Sequence, residues 1–142
     1  SGLSSIGLRP FVAYGPGREV GMSAGPTLAC RAATRGEPYT IPFTGEAGFV
    51  YADDVAAAIE EAVTVAPSGA HVFNMTGETA DVADLAAEIR RQWPGAAIGQ
   101  SGPPLPVASR LAGPSIRTLL PGVPDTPLKD GLAATLAHYA NR

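Results

Sequence analysis

The chain has 142 residues, of which 45% are apolar and 16% charged, and its formal net charge is −3. That length fits about one domain with a core large enough to fold without metal or disulfide staples, and the composition is too apolar and too sparsely charged for a disordered tail. A mildly acidic balance with no basic cluster argues against a nucleic-acid partner. No run approaches the ~18 apolar residues of a membrane span, which argues against a membrane partner.

In chain order, Ile6–Tyr14 is a nearly continuous apolar run closed by Gly15-Pro16-Gly17. It predicts one buried strand entering a turn, with Pro10 at a strand end, an edge or a bulge because proline lacks the ladder donor. Residues Pro26–Arg35 form a short helix, with proline in the first turn and Gly36 as its stop. Tyr39–Pro42 and Ala47–Ala52 are short strands. Asp53 or Asp54 caps a second helix whose buried face would be Val55, Ile59, Ala62 and Val63.

His71–Met75 alternates as a strand. Asp81 caps a third helix that buries Val82, Leu85, Ile89 and Trp93, places Arg90 and Arg91 at its negative end, and stops at Pro94-Gly95. A short strand at Ala97–Gly99 follows, and then Gly102–Pro114, whose prolines and turn residues make it a loop or covering strap. Thr126-Pro127 opens a last helix with the stripe Leu128, Leu132, Leu136 and Tyr139. The alternation predicts an α/β fold with a small, partly parallel sheet.

The chemistry-bearing residues are sparse. Gly15, Gly17 and Gly21 follow a strand and precede a helix, the setting of a phosphate cradle, but the last spacing is one residue too long and Pro16 stiffens the turn, so an ordinary turn is the stronger reading. The two histidines, His71 and His138, accompany no Gly-x-Ser-x-Gly elbow, and Cys30 sits among alanines as a small apolar residue. A single cysteine also excludes an internal disulfide and fits a reducing compartment, with the cytoplasm as the default; Ser1–Ser5 lacks the basic and apolar regions of an export signal. Asp53-Asp54 reads as helix capping, and no Asp/Glu/His cluster has metal-ligand spacing. No tyrosine is followed four positions later by lysine, so the chain carries no phenol–lysine proton-transfer pair and no catalytic residue is assigned.

Two longer segments carry a resemblance. Gly7-Leu8-Arg9-Pro10-Phe11-Val12-Ala13-Tyr14-Gly15-Pro16-Gly17-Arg18 resembles the strand and loop that follow the Tyr-x-x-x-Lys helix of extended short-chain dehydrogenase/reductases, the NAD-dependent epimerase/dehydratase family. Phe49-Val50-Tyr51-Ala52-Asp53-Asp54-Val55-Ala56 is similar to that family's later Phe-x-x-Val-Asp-Asp-Val-Ala segment. Val72-Phe73-Asn74-Met75 resembles its "fN" strand, and Thr126–Leu132 the start of its closing helix.

The resemblance implies a late strand of a Rossmann-type sheet in residues 1–20 and a small mixed α/β substrate-binding domain in residues 21–142. The Gly-rich cofactor loop and the Tyr-x-x-x-Lys pair would lie upstream. It implies NAD or NADP in the parent enzyme, with no tight binding to this part alone, and Pro10, Phe11 and Val12 bordering the cofactor. Tyr14, Arg18, Met22, Phe43 and Arg117 would border a small-molecule substrate, a sugar or a sugar-derived hydroxy or carbonyl compound. Val12 stands where many family members acting on nucleotide sugars carry Asn, and Ala47-Gly48 where they carry Arg-Asp, which removes donors suited to a diphosphate. The expected macromolecular partner is a second copy or the N-terminal part. The alternative is a freestanding, non-catalytic binding or assembly module. The opening strand is expected inside a larger sheet with members outside this chain; a wet strand at an outer margin, with no neighbour replacing them, would count against the enzyme reading.

Overall fold

A computed structural model describes residues 2–142. The elements in order are β1 (Ser5–Pro10), β2 (Val12–Tyr14), α1 (Gly25–Arg35), β3 (Tyr39–Ile41), β4 (Glu46–Tyr51), α2 (Ala52–Val65), β5 (Ala70–Met75), β6 (Glu78–Asp81), α3 (Val82–Gln92), β7 (Ile98–Gln100) and α4 (Leu128–Ala140), with a 3-10 turn at Ile116–Thr118 before α4. The expected α/β alternation is present.

Three small sheets replace the single one expected. β1 pairs with β5 in parallel, β3 with β7 in parallel, and β4 lies between β2, parallel to it, and β6, antiparallel. The predicted strand Ile6–Tyr14 breaks at Phe11. Pro10 ends β1, as a residue without a ladder donor should, and the Phe11 amide donates to Met75 O at 3.0 Å while Ala13 donates back to Phe11 O at 3.0 Å. The chain thereby leaves one sheet and enters another. β6 was not anticipated, because Glu78-Thr79-Ala80-Asp81 carries no apolar alternation.

Two apolar clusters form the core. The larger joins β2, β3, β4 and β7 to α1, α3 and α4, and contains Tyr14, Cys30, Ile41, Phe43, Phe49, Leu85, Ile89, Leu132 and Leu136. The smaller holds Val50, Ala58, Phe73, Met75, Ile116, Leu120 and Val123, with Ile6, Leu8 and Val55 packed against it. β1 packs against β5, α2 and the 3-10 turn, all from later in the chain.

The helices follow the sequence with two corrections. α1 ends at Gly36 in the left-handed conformation, α3 is capped by Asp81 through its bond from Ala83 N at 2.7 Å, and Leu128, Leu132 and Leu136 of α4 are buried. Each such leucine contributes about 1.5–3 kcal/mol over an exposed one. In α2 neither aspartate caps; the N-cap is Tyr51, and the buried positions are Asp54 and Ala58. Of the face expected inside, Val55 and Ala62 are half-buried, but Ile59 is 55% and Val63 77% exposed. β1 likewise lies at an outer margin, paired on one side only, with its side chains half-buried or exposed. The margin is wet, but β5 stands beside it along Ser5–Pro10, so the condition set against the enzyme reading, a wet strand with no neighbour, is not met.

Candidate functional site

A hollow of about 350 Å³ opens between the loop after β2 and the proline strap. Gly21, Met22, Gly25 and Leu28 form one wall, Tyr39, Pro42 and Phe43 the floor, and Pro103, Pro104, Leu105 and Pro106 the other wall. Glycine is required at two of its seams. A Cβ on Gly25 would meet Ile41 Cγ2 at 2.8 Å, and one on Gly102, where φ is +117°, would meet Pro42 O at 2.7 Å. The strap is stitched down by Thr44, whose amide donates to Pro103 O at 3.2 Å and whose hydroxyl donates to Gly102 O at 2.9 Å. The lining is mostly apolar, suiting the flat or aliphatic part of a ligand rather than a charge.

Of the expected substrate residues, Met22 and Phe43 meet here. Arg18 does not: its guanidinium folds back on its own loop, donating to Val20 O and to Ser23 Oγ at 3.3 Å. Arg117 lies on a different, polar hollow of about 250 Å³ with Asp54, Asn74, Thr76, Ser115 and Asp125. There it donates to Val123 O at 2.9 Å and to Pro124 O and pairs with Asp125 at 3.3 Å, so its donors hold the turn before α4. Tyr14 corrects the expectation outright. Its ring is wholly buried, its hydroxyl donates to Leu128 O at 3.3 Å, and burial pushes the phenol's pKa well above the usual value, so it anchors α4 and offers no ligand surface.

Among the three expected cofactor neighbours, Val12 is buried against β4, leaving Pro10 and Phe11 with exposed surface. The glycine loop is not a cradle. Gly15 N is taken by Thr27 Oγ1 at 3.0 Å, Gly17 N by the Tyr139 hydroxyl at 3.4 Å, and Arg18 N by Gly15 O at 3.1 Å. These residues do not fit a dinucleotide pyrophosphate on their own. Cys30 is buried, which pushes its thiol up to about 12 and leaves it a packing residue. Among the described residues no group of three or more His, Cys, Asp or Glu could hold a metal ion.

Packing also accounts for a departure noted in the sequence. A side chain at Gly48 would run into Thr76 O at 2.5 Å, so the aspartate of the related motif has no room there. A guanidinium arrives nearby from the strap instead: Arg110 makes a two-point pair with Glu46, at 3.1 and 3.0 Å.

No protein-family profile and no curated protein matches the sequence. Solved structures do match the fold. The UDP-glucose 4-epimerase of Thermus thermophilus, complexed with NAD, superposes with a TM-score of 0.71 at 21% identity over 94% of this chain and 46% of its own. MoeE5 in complex with UDP-glucose and NAD gives 0.74 at 24% over 98% and 48%. A putative epimerase from Burkholderia cenocepacia J2315 gives 0.73 at 20% over 96% and 47%. The chain has the fold of the C-terminal part of NAD-dependent sugar-nucleotide epimerases. It spans about half the length of the chains it matches, and what it shares with them is a partial Rossmann-like α/β architecture. Among the described residues, no helix is long and apolar enough to cross a membrane.

The epimerase-like fold shows what sequence reasoning missed. The strap prolines line the hollow, and their clustering was a usable signal once an apolar floor at Pro42-Phe43 was known. Nothing in sequence spacing announced that Tyr139 would reach the loop at Gly17–Glu19.

Proposed function

We propose that this chain is the C-terminal, substrate-binding portion of an NAD(P)-dependent epimerase, dehydratase or dehydrogenase of the extended short-chain type. Its substrate class is a sugar or a sugar-derived hydroxy or carbonyl compound. The observation that carries this reading is the fold match, which takes in nearly the whole chain and about half of enzymes solved with NAD and UDP-sugars. The hollow bounded by Met22, Phe43 and the proline strap is the substrate's place, and Pro10 and Phe11 border a cofactor held by the N-terminal part.

The unpaired margin of β1 supports the same partner. Together with Ile59, Ala62 and Val63 it edges an apolar groove of about 380 Å³, a surface fitted to receive the missing strands and helices of a dinucleotide-binding sheet. On this reading that domain's share of the chain is β1, α2, β5 and the 3-10 turn, rather than residues 1–20 alone. The single buried cysteine suits the cytoplasm. A freestanding module would more naturally keep Ile59 and Val63 covered.

The test is an amide-shift titration of the isolated chain with UDP-glucose, glucuronic acid and NAD, paired with a turnover assay. Shifts at Met22 and Phe43 with a sugar compound, none with NAD, and no NADH formation are the expected results. Hydride transfer by this chain alone, or sugar-induced shifts confined to other surfaces, overturns the proposal.

A further inference from the structure

In the loop Gly15–Ala24, Gly15, Gly17 and Gly21 all have positive φ, at 132°, 84° and 104°, and Val20 and Met22 are exposed. Gly15 at its start is tied to Thr27 of α1, and its middle is fastened to the helices at one further point. The Tyr139 hydroxyl, from the last turn of α4, donates to Glu19 Oε1 at 2.6 Å and accepts from Gly17 N at 3.4 Å, while the other Glu19 oxygen pairs with Arg31 of α1. One phenol thus ties two loop residues to two packed helices. The bond from Tyr139 holds the Glu19 carboxyl below its ordinary pKa, and burial pushes the phenol up, so at neutral pH the donor is protonated and the acceptor ionised. Two residues past this point, Gly21 and Met22 form the loop wall of the apolar hollow. A second hollow, lined by Glu19, Arg31, Thr34, Arg35, Tyr139, Ala140 and Arg142, lies behind the fastening. Tyr139 lines this second hollow and not the apolar one.

We propose that Tyr139 is a positioning residue for the apolar hollow: acting through Glu19 and Arg31, it fixes the loop that carries Gly21 and Met22. The ligand half of this statement rests on the proposed function; the positional half does not. Loss of the hydroxyl frees the Gly17–Met22 segment and detaches the methionine wall, while the α4 stripe of Leu128, Leu132 and Leu136 stays packed.

The chain has two methionines, which makes the experiment internally controlled. Met22 is 73% exposed on the loop, whereas Met75 is buried in the smaller core cluster. In methyl-13C-methionine NMR of the whole chain, Tyr139→Phe moves or broadens the Met22 methyl signal and leaves Met75 in place. Amide exchange at Gly17 and Arg18 rises about tenfold, the value of one charge-assisted hydrogen bond, with Leu132 and Leu136 amides unchanged. Glu19→Gln gives the same pattern, and the double variant is no worse than the single ones. An unmoved Met22 signal with unchanged loop exchange overturns the proposal, as does a change spread equally over Met75 and α4. UDP-glucose titration forms the separate ligand arm. If the wild type shows no shift at Met22, the functional reading fails while methyl and exchange data still decide the role of Tyr139.

Discussion

Asp54 binds Thr126 twice: its carboxylate accepts from the Thr126 amide at 2.8 Å and from the hydroxyl at 2.6 Å, across 72 positions of sequence. Asp54 is 4% exposed. The start of α2 is thereby tied to the turn that launches α4, where Glu78 also accepts from Leu128 N at 2.8 Å.

Removing one partner of this pair leaves a buried polar group unpaired, so Asp54→Ala is expected to cost about 2–3 kcal/mol and Thr126→Val about 1–2 kcal/mol. Urea denaturation measures both, and the double variant should cost less than the sum. Additive losses would show that the two residues are not coupled.

Gly131 lies under the Tyr14 ring: a Cβ there would stand 2.8 Å from Cζ and closer still to the hydroxyl oxygen. Gly131→Ala is expected to destabilise the fold by about 1–3 kcal/mol through overpacking. Tyr14→Phe in that background recovers only part of the loss, because the ring carbon remains. Thermal melts of the wild type and the two variants check the order.

Val63 and Ile59 are apolar and exposed on α2 beside the open strand. Val63→Lys is expected to change unfolding stability by less than about 0.5 kcal/mol, as surface substitutions do. It should also reduce concentration-dependent self-association in sedimentation velocity. A variant that associates as strongly as the wild type would show that this face is not the adhesive one.

Glu88 is held down to about 2 by hydrogen bonds from Arg91 and Gln92, and Gln92 in turn reaches Lys129 O of α4 at 2.8 Å. A carboxyl depressed in the folded state stabilises it above its unfolded value of 4.5, and that contribution fades as pH falls toward about 2. For a partly exposed pair the amount is about 0.5 kcal/mol. Glu88→Gln should therefore melt slightly below the wild type at pH 7, with the two curves converging by about pH 2.

Local signals carried most of the elements. The Asp81 cap, the Gly36 stop and the leucine stripe of α4 depend on neighbours within a turn or two, and each formed where its residues stand. What failed to show were relations between distant segments. Asp54 looked like a cap because a carboxylate at a helix start usually is one, yet Thr126 supplies better donors. Ile59 and Val63 have helical periodicity, which marks an apolar face without telling whether this chain covers it. For the site, Met22 and Phe43 share one hollow, while Tyr14, Arg18 and Arg117 found internal uses.

The parallel pairing that sets Ser5 opposite Ala70 and Pro10 opposite Met75 also dictates the order of events during biosynthesis. Once translated, β1 waits for its partner β5 while everything through Met75 is made, a delay of several seconds at about 5–20 residues per second. Throughout that interval the β5 side of β1 stays unpaired, and closing so long a loop is slow compared with forming a hairpin.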